Sequence, residues 1–268
     1  MRISRVIFSA TVLASAAGLI AAASPAADAV SAVHYVALGD SYSSGVGAGD
    51  YISSSGSCER SYKAYPEQWA DASSPASFVS VACSGAATSD VLSTQVSALS
   101  PSTTLVSITI GGNDAGFATV METCVLAPTS ICLAAVSAAE AFVTYQLPAK
   151  LDTTLATIRA DAPAAKVVVL GYPDLYDLAK SSSCIGLSTK DRTSLNQGAD
   201  ELDNALSTAA VVYHDTYADV RSQFASHEIC DSSSWLNSVD IFSLSSSYHP
   251  TAAGQELGYL PAFTTAAG

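Results

Sequence analysis

Basic side chains are scarce in this chain. Eleven lysines and arginines (11) stand against 24 aspartates and glutamates in 268 residues, a net charge of −13. That balance opposes binding to nucleic acid or to strongly anionic membranes. Charge of either sign is thin, at 13%, so solubility must rest on the acidic excess and on small polar groups. No Cys-x-x-Cys and no paired-histidine spacing occurs, which argues against structural zinc. Repeats, long linkers and blocks of like charge are also missing, and nothing marks a second domain. Short Ser-rich patches, Ser53 to Ser57 and Ser243 to Ser247, read as surface loops.

One long uncharged run is present, Val6 to Ala23, with Arg2 and Arg5 before it and Ala27-Asp28-Ala29 after it. This order predicts a secretory signal over residues 1–29, cut after Ala29, and an extracellular protein. A membrane anchor is the alternative, but the run is Ala-rich, barely long enough to span a bilayer, and followed by small rather than basic residues. Cutting 29 residues from 268 leaves 239, and losing Arg2, Arg5 and Asp28 takes the net charge from −13 to −14. One α/β domain, residues 30–268, fills that length.

Six cysteines in an exported chain form an even set: Cys58, Cys83, Cys124, Cys132, Cys184 and Cys230. Three disulfides are the natural reading. Fifteen pairings are open in principle; 58 with 83, 124 with 132 and 184 with 230 is the simplest, each bond closing a local loop.

After the signal, short β-branched runs alternate with longer stretches of helical spacing. The predicted strands are Val33 to Leu38, Phe78 to Ala82, Leu105 to Ile110, Lys166 to Leu170 and Val211 to Tyr213. Predicted helices cover Tyr62 to Ala72, Ser89 to Leu99, Leu133 to Ala160 and Ser188 to Ala209. Pro148 should kink or split the third helix. Ser188 with Asp191 makes an acidic variant of a capping box, and Pro250 sits where a final helix would begin. Five strands with covering helices predict an α/β fold, a three-layer α/β/α sandwich on a parallel sheet.

In such sheets the ligand crevice lies beyond the carboxyl ends of the strands. Gly39-Asp40-Ser41 follows the first strand, Cys83-Ser84-Gly85 the second and Gly111-Gly112-Asn113-Asp114 the third. In a sheet of order 2-1-3-4-5 those ends are neighbours. A serine hydroxyl is nearly inert at neutral pH, so a nucleophilic Ser41 requires a base in hydrogen-bond reach and donors for the oxyanion it creates. Gly85 and Asn113, with the Ser41 N–H, are candidates for those donors. The base is best assigned to His249, in a loop near the end of the chain. His214, ending the predicted last strand, is the reserve; His34 and His227 fit less well. Singly, each motif has a bland reading as a turn, a cap or a tight bend; together, after three consecutive strands, they point to one site.

These residues, in this order, resemble the SGNH hydrolases, also called GDSL esterases and lipases. The blocks are Gly39-Asp40-Ser41 with Tyr42-Ser43, then Gly85, then Gly111-Gly112-Asn113-Asp114, then His249. The cysteine layout and length look like the secreted streptomycete-type lipase and phospholipase A branch. The resemblance implies a flavodoxin-like five-stranded parallel sheet, Ser41 as nucleophile, His249 as base and then acid, and Ser41, Gly85 and Asn113 as the oxyanion hole. It implies no metal and no cofactor. The family usually has Asp three residues before the histidine, where this chain has Ser246. A backbone carbonyl, of Ser247 or Ser246, is the expected acceptor for the His249 Nδ1–H, with Asp240 as the fallback acid.

Gly45-Val46-Gly47-Ala48-Gly49 invites a dinucleotide reading, but its spacing does not satisfy G-x-G-x-x-G. Nor is there a G-x-S-x-G elbow, since Ser43 stands where it needs glycine. The expected substrate is a lipid or other ester with an apolar acyl chain, including acylglycerols and the sn-1 bond of phospholipids, met through transient contact with a lipid surface. A groove wall is sought in Phe117, Val120, Met121, Val125, Leu126, Ile131 and Leu133, for which ordinary core packing is an equal reading. The alternatives are a lipid- or glycan-binding module without turnover and an esterase for acetylated sugars. Oligomeric state leaves no signature, and a monomer is expected.

Overall fold

The computed structural model describes residues 32–180, 184, 186–239 and 244–268. The predicted export signal, residues 1–29, and Asp240 lie outside the described residues. Five parallel strands, β1 (His34–Gly39), β2 (Ser77–Ser80), β3 (Leu105–Thr109), β4 (Lys166–Leu170) and β5 (Thr216–Ala218), form one sheet in the order β2-β1-β3-β4-β5. β1, β3 and β4 are buried along almost their whole length, as near-continuous apolar strands covered on both faces must be.

The helices are α1 (Ser41–Ser44), α2 (Tyr65–Ser73), α3 (Thr88–Asp90), α4 (Phe117–Leu126), α5 (Thr129–Tyr145), α6 (Leu147–Asp161), α7 (Thr189–Val212), α8 (Arg221–Phe224) and α9 (Leu260–Ala267). α2 and α9 pack together, with Trp69 and Phe263 against Tyr35 of β1. α5 packs along α7, which in turn covers β4 and β5. Helices on both sides of a parallel sheet make the three-layer α/β/α sandwich.

Sequence signals hold best where they are local. Ser188 caps α7 and accepts the Asp191 N–H, while the Asp191 side chain answers the Ser188 N–H. Pro148 sits in the first turn of α6, and α5 and α6 meet at 49°; a proline there removes no helical hydrogen bond. The disulfides join Cys58 to Cys83, Cys124 to Cys132 and Cys184 to Cys230.

Three predictions need correction. Val211 to Tyr213 is not a strand: Val211 and Val212 are exposed residues completing α7, and Tyr213 caps it. β-branched residues at a helix end mimic a strand, whereas the actual β5 is Thr-Tyr-Ala, paired through Thr216 to Val168 and Ala218 to Leu170. The predicted helix from Ser89 to Leu99 is α3 followed by a wide turn, Val91–Gln95, and a tight one, Val96–Ala98. The wide turn carries Gln95, whose amide bonds both the N–H and the C=O of Gly39. Pro250 does not open the last helix; it forms a bridge with Leu236, and helical winding starts at residue 252.

β1 pairs with β2 on one side and β3 on the other, so strand order reverses between β1 and β3. Gly39 pairs with Thr109 at that end, and the segments carrying Ser41 and Asn113 leave the sheet side by side, where an open α/β sheet leaves its crevice.

Candidate active site

The last residue of β1 must be glycine. Gly39 has φ +122°, and a Cβ there would lie 2.5 Å from the Thr109 carbonyl oxygen. Asp40 then caps α1, its Oδ1 accepting the Tyr42 N–H at 3.0 Å, and Gly45 ends the helix in the left-handed region. Ser41 is therefore the first residue of a four-residue helix pinned at both ends.

Asp40 is buried and holds more than the cap. Its carboxylate also accepts the Thr109 hydroxyl at 2.7 Å and the Tyr172 hydroxyl. Below it, Ser43 Oγ lies 2.8 Å from Thr109 Oγ1 and 3.0 Å from the Tyr65 hydroxyl, which donates to Ser107 Oγ. The interior under the nucleophile turn is thus a satisfied polar network, which fixes geometry more tightly than apolar packing alone. Burial pushes the Asp40 carboxyl up to about 6, against the lowering effect of its hydrogen bonds.

Ser41 Oγ and His249 Nε2 are 2.7 Å apart, although 208 positions separate them in sequence. On the far side of the ring, Nδ1 is 3.0 Å from the Ser247 carbonyl oxygen. A carbonyl can only accept, so Nδ1 carries the proton and the Nε2 lone pair faces the serine. The Ser246 carbonyl is occupied by the His249 backbone N–H at 3.3 Å. Burial pushes the His249 imidazole down to about 4, with the carbonyls of Ser247 and Ser245 pulling the other way.

The histidine loop is anchored from three directions. Tyr248, at φ +65°, accepts the Tyr42 hydroxyl on its carbonyl at 2.7 Å. Asn237 exchanges backbone hydrogen bonds with the loop, its N–H to the His249 carbonyl at 2.9 Å and its own carbonyl from the Tyr248 N–H at 2.8 Å. Its side-chain Nδ2 also donates to the His249 carbonyl, at 3.0 Å. Gly47, at φ +86°, leaves the space: a Cβ there would lie 2.9 Å from the His249 Cβ. The glycine run that resembled a nucleotide loop therefore seats the histidine.

Gly85 has φ +78°, and nothing lies within 4 Å of where its Cβ would be, so conformation rather than space requires glycine. Asn113 Nδ2 donates to the Ala86 carbonyl at 3.0 Å, and the Asp114 carboxylate accepts the Thr88 N–H at 2.8 Å and its hydroxyl at 2.7 Å. These bonds tie the turns after β2 and β3 together. Among the described residues, neither the Ser41 nor the Gly85 N–H has an intramolecular acceptor.

An apolar groove runs from Ser41 and Asn113 past Tyr172 and Phe117 to the facing sides of α5 and α7, Val136 and Val143 opposite Leu195 and Leu202. Of the seven residues sought as its wall, only Phe117 and Val120 line it. Met121 is core, and Val125, Leu126 and Ile131 face solvent, because α4 turns only one stripe inward. Leu133 is half-buried without lining the groove. The groove comes mainly from α5 and α7, which hydrophobic spacing marked as helices without saying what they face. Tyr172 was also missed, although it follows β4 as Ser41 and Asn113 follow β1 and β3; the same strand-end rule, applied to Gly171-Tyr172-Pro173, would have found it.

The other histidines stand apart. His214 lies in the turn between α7 and β5, at the opposite rim from Ser41, His34 bonds Ser77 at 2.8 Å and His227 stacks on Trp235.

A serine against an imidazole, at the switch point of a flavodoxin-like sheet and opening on an apolar groove, defines a serine-type ester hydrolase distinct from the nucleophile-elbow class. The model of the GDSL-like Lipase/Acylhydrolase family matches residues 37–257. Lipase 1 of Streptomyces coelicolor is 54% identical over 260 residues, 97% of this chain and 96% of that protein. The crystal structure of phospholipase A1 from Streptomyces albidoflavus superposes with a TM-score of 0.86 at 55% identity, covering 88% of this chain and 100% of that one. That of the extracellular lipase from Streptomyces rimosus gives 0.85 at 51% identity, covering 88% and 100%. The chain belongs to the GDSL-like lipase/acylhydrolase family and is a carboxylic ester hydrolase.

Proposed function

We propose that this protein is exported, loses residues 1–29, and as a monomeric single domain, residues 30–268, hydrolyses lipid esters with apolar acyl chains through an acyl-enzyme on Ser41. Ser41 Oγ attacks the ester carbonyl while its proton passes to His249 Nε2. The oxyanion accepts hydrogen bonds from the Ser41 and Gly85 N–H groups and from Asn113 Nδ2. Collapse expels the alcohol, which takes the proton from His249. Water then attacks the acyl carbon, His249 accepts its proton, and the carboxylic acid leaves as Ser41 regains its hydrogen.

The observation that carries this reading is the 2.7 Å contact between Ser41 Oγ and His249 Nε2. The Ser247 carbonyl takes the place of a triad acid: it holds the correct tautomer, which is the main service of the acid in the serine-protease template. It gives up charge stabilisation of the imidazolium, so the unit works as a dyad. The apolar groove favours fatty acyl esters over acetylated sugars; the sn-1 ester of phospholipids is included because a similar protein is described as a phospholipase A1. Three disulfides suit an oxidising compartment, and a similar protein is described as an extracellular lipase.

A serine-directed organophosphonate should label Ser41 and abolish hydrolysis of medium-chain p-nitrophenyl esters. Folded protein that hydrolyses nothing and resists labelling would favour a binding module. Activity confined to acetylated sugars would reject the lipid reading.

A further inference from the structure

Gly198 stands in the interior of α7, a helix of 24 residues. Glycine is the poorest helix former after proline, so its place there needs a reason. Conformation supplies none, because Gly198 does not adopt a positive φ. Crowding supplies none either. At Gly39 and Gly47 a Cβ would meet atoms of other segments within 3.0 Å. At Gly198, apart from its own helix, the only atom among the described residues within 4 Å of a Cβ is Val136 Cγ1, at 3.5 Å, an ordinary contact distance. A longer side chain would enter open space: Gly198 on α7 and Val136 on α5 both line the apolar groove that starts at Ser41.

We propose that Gly198 determines the length of acyl chain this enzyme accepts: the room left by its missing side chain is where a medium or long chain extends, and any side chain there shortens the ester that fits. The inference rests on the reading of the groove as an acyl site. Leu202, also in the groove wall, faces the catalytic rim, its Cδ1 3.3 Å from where a Cβ on Gly111 would lie, two residues before Asn113. Gly198 follows one turn along the same wall, and Leu195 comes after it. From Leu202 to Leu195 the wall covers roughly 10 Å at about 1.5 Å per residue, the reach of about eight acyl carbons. An acetyl group ends before this stretch, and a decanoyl chain runs along it. The opposite wall has no room to retreat. Val136 is buried, and the Thr129 hydroxyl at the start of α5 donates to the Asp191 carboxylate at the start of α7, at 3.1 Å. In a close-packed seam held in this way, a carbon added at position 198 takes its volume from the substrate.

The test is kcat/KM for p-nitrophenyl esters from acetate to decanoate, measured on the full chain and on its Gly198→Ala and Gly198→Leu variants. One methylene denied apolar burial is worth about fourfold. The decanoate-to-acetate ratio should therefore fall about fourfold in Gly198→Ala and about tenfold or more in Gly198→Leu, with the fall beginning at shorter chains for leucine. Gly198→Ala should also melt about 2 °C higher, since alanine is the better helix former; a glycine kept for packing would make it melt lower. Should Gly198→Leu fail to fold, the alanine variant decides by its ratio and its Tm together. A preference for decanoate that survives both substitutions, or a Gly198→Ala protein that melts lower than wild type, would overturn the inference and leave the acyl-groove reading standing. Wild type that hydrolyses acetate and no longer ester would refute that reading itself, and the inference with it.

Discussion

If His249 is the base as proposed, with the Ser247 carbonyl on its Nδ1 and, among the described residues, no carboxylate there, it should work at unusually low pH. His249 is pushed from 6.5 down to about 4, because burial opposes the imidazolium and the carbonyls of Ser247 and Ser245 offset it only in part. At 1.36 kcal/mol per unit the shift corresponds to about 3 kcal/mol against protonation. At pH 5 an imidazole of pKa 4 is about nine-tenths neutral and one of pKa 6.5 only about 3% neutral, roughly a thirtyfold difference in active base. The assay is kcat/KM for a soluble p-nitrophenyl ester from pH 4 to 9, which reports the free enzyme. Its acid limb should fall near 4. Ser246→Asp, which puts a carboxylate three residues before the histidine, should stabilise the imidazolium and move that limb up by a unit or more, sacrificing activity at pH 5. A wild-type limb at 6.5 to 7 would refute the reasoning, since it would require an acid at Nδ1 or a well-hydrated ring.

If Asn113 Nδ2 donates to the oxyanion as proposed, its replacement by alanine should lower kcat by about 10²–10³ with little change in KM; a rise in KM with kcat unchanged would contradict that role. Removing Cys184–Cys230, which spans 46 positions, should cost more than removing Cys124–Cys132, which spans 8; loop entropy gives about 4 against about 2.6 kcal/mol, to be read from urea unfolding of the Ser double variants. Stability should also rise from pH 8 to pH 6. Burial raises Asp40 to about 6 and Asp203 to about 7 from 3.8, so their stabilisation is full below about 4 and lost as pH rises through 6 to 7. His249 works the other way, its contribution present above 6.5 and lost as pH falls toward 4. Between pH 8 and 6 these effects sum to a gain of about 1 kcal/mol, a Tm rise of about 2–4 °C by calorimetry; a Tm that falls over this range would contradict the burial of the two aspartates.

Four of the five strands were legible: β1, β3 and β4 as short, largely apolar runs, since a strand covered on both faces is mostly apolar, and the half-exposed edge strand β2 through Phe78 and Val79. Helix ends were legible wherever a cap is local, as at Ser188 and Asp191. The fifth strand was not: Thr216–Ala218 is too short to show a pattern, and the valines ending α7 imitate one. The gathering of Ser41, Asn113 and the turn after Gly85 at one rim could be read because strand ends in a parallel sheet converge by topology, so position along the chain already implied proximity. The contact of His249 with Ser41 was expected from its loop near the chain end and its place in the ordered motif.

What remained hidden is what depends on contact between distant positions. Tyr172 reaches Asp40 across 132 residues and Tyr42 reaches Tyr248 across 206; no local pattern encodes such a pair. The Asn237 clamp, the choice of the Ser247 carbonyl and the downward shift of His249 belong to the same class. So does the groove, because periodicity tells that a helix has an apolar side and not which other helix that side will meet. By itself, then, the chain's order of residues determined the layers, the disulfide count and the rim at which chemistry gathers, since burial and turn geometry act over a few residues. Only the tertiary structure decided how the imidazole is oriented and what the apolar groove is made of, since hydrogen bonds and packing act through space.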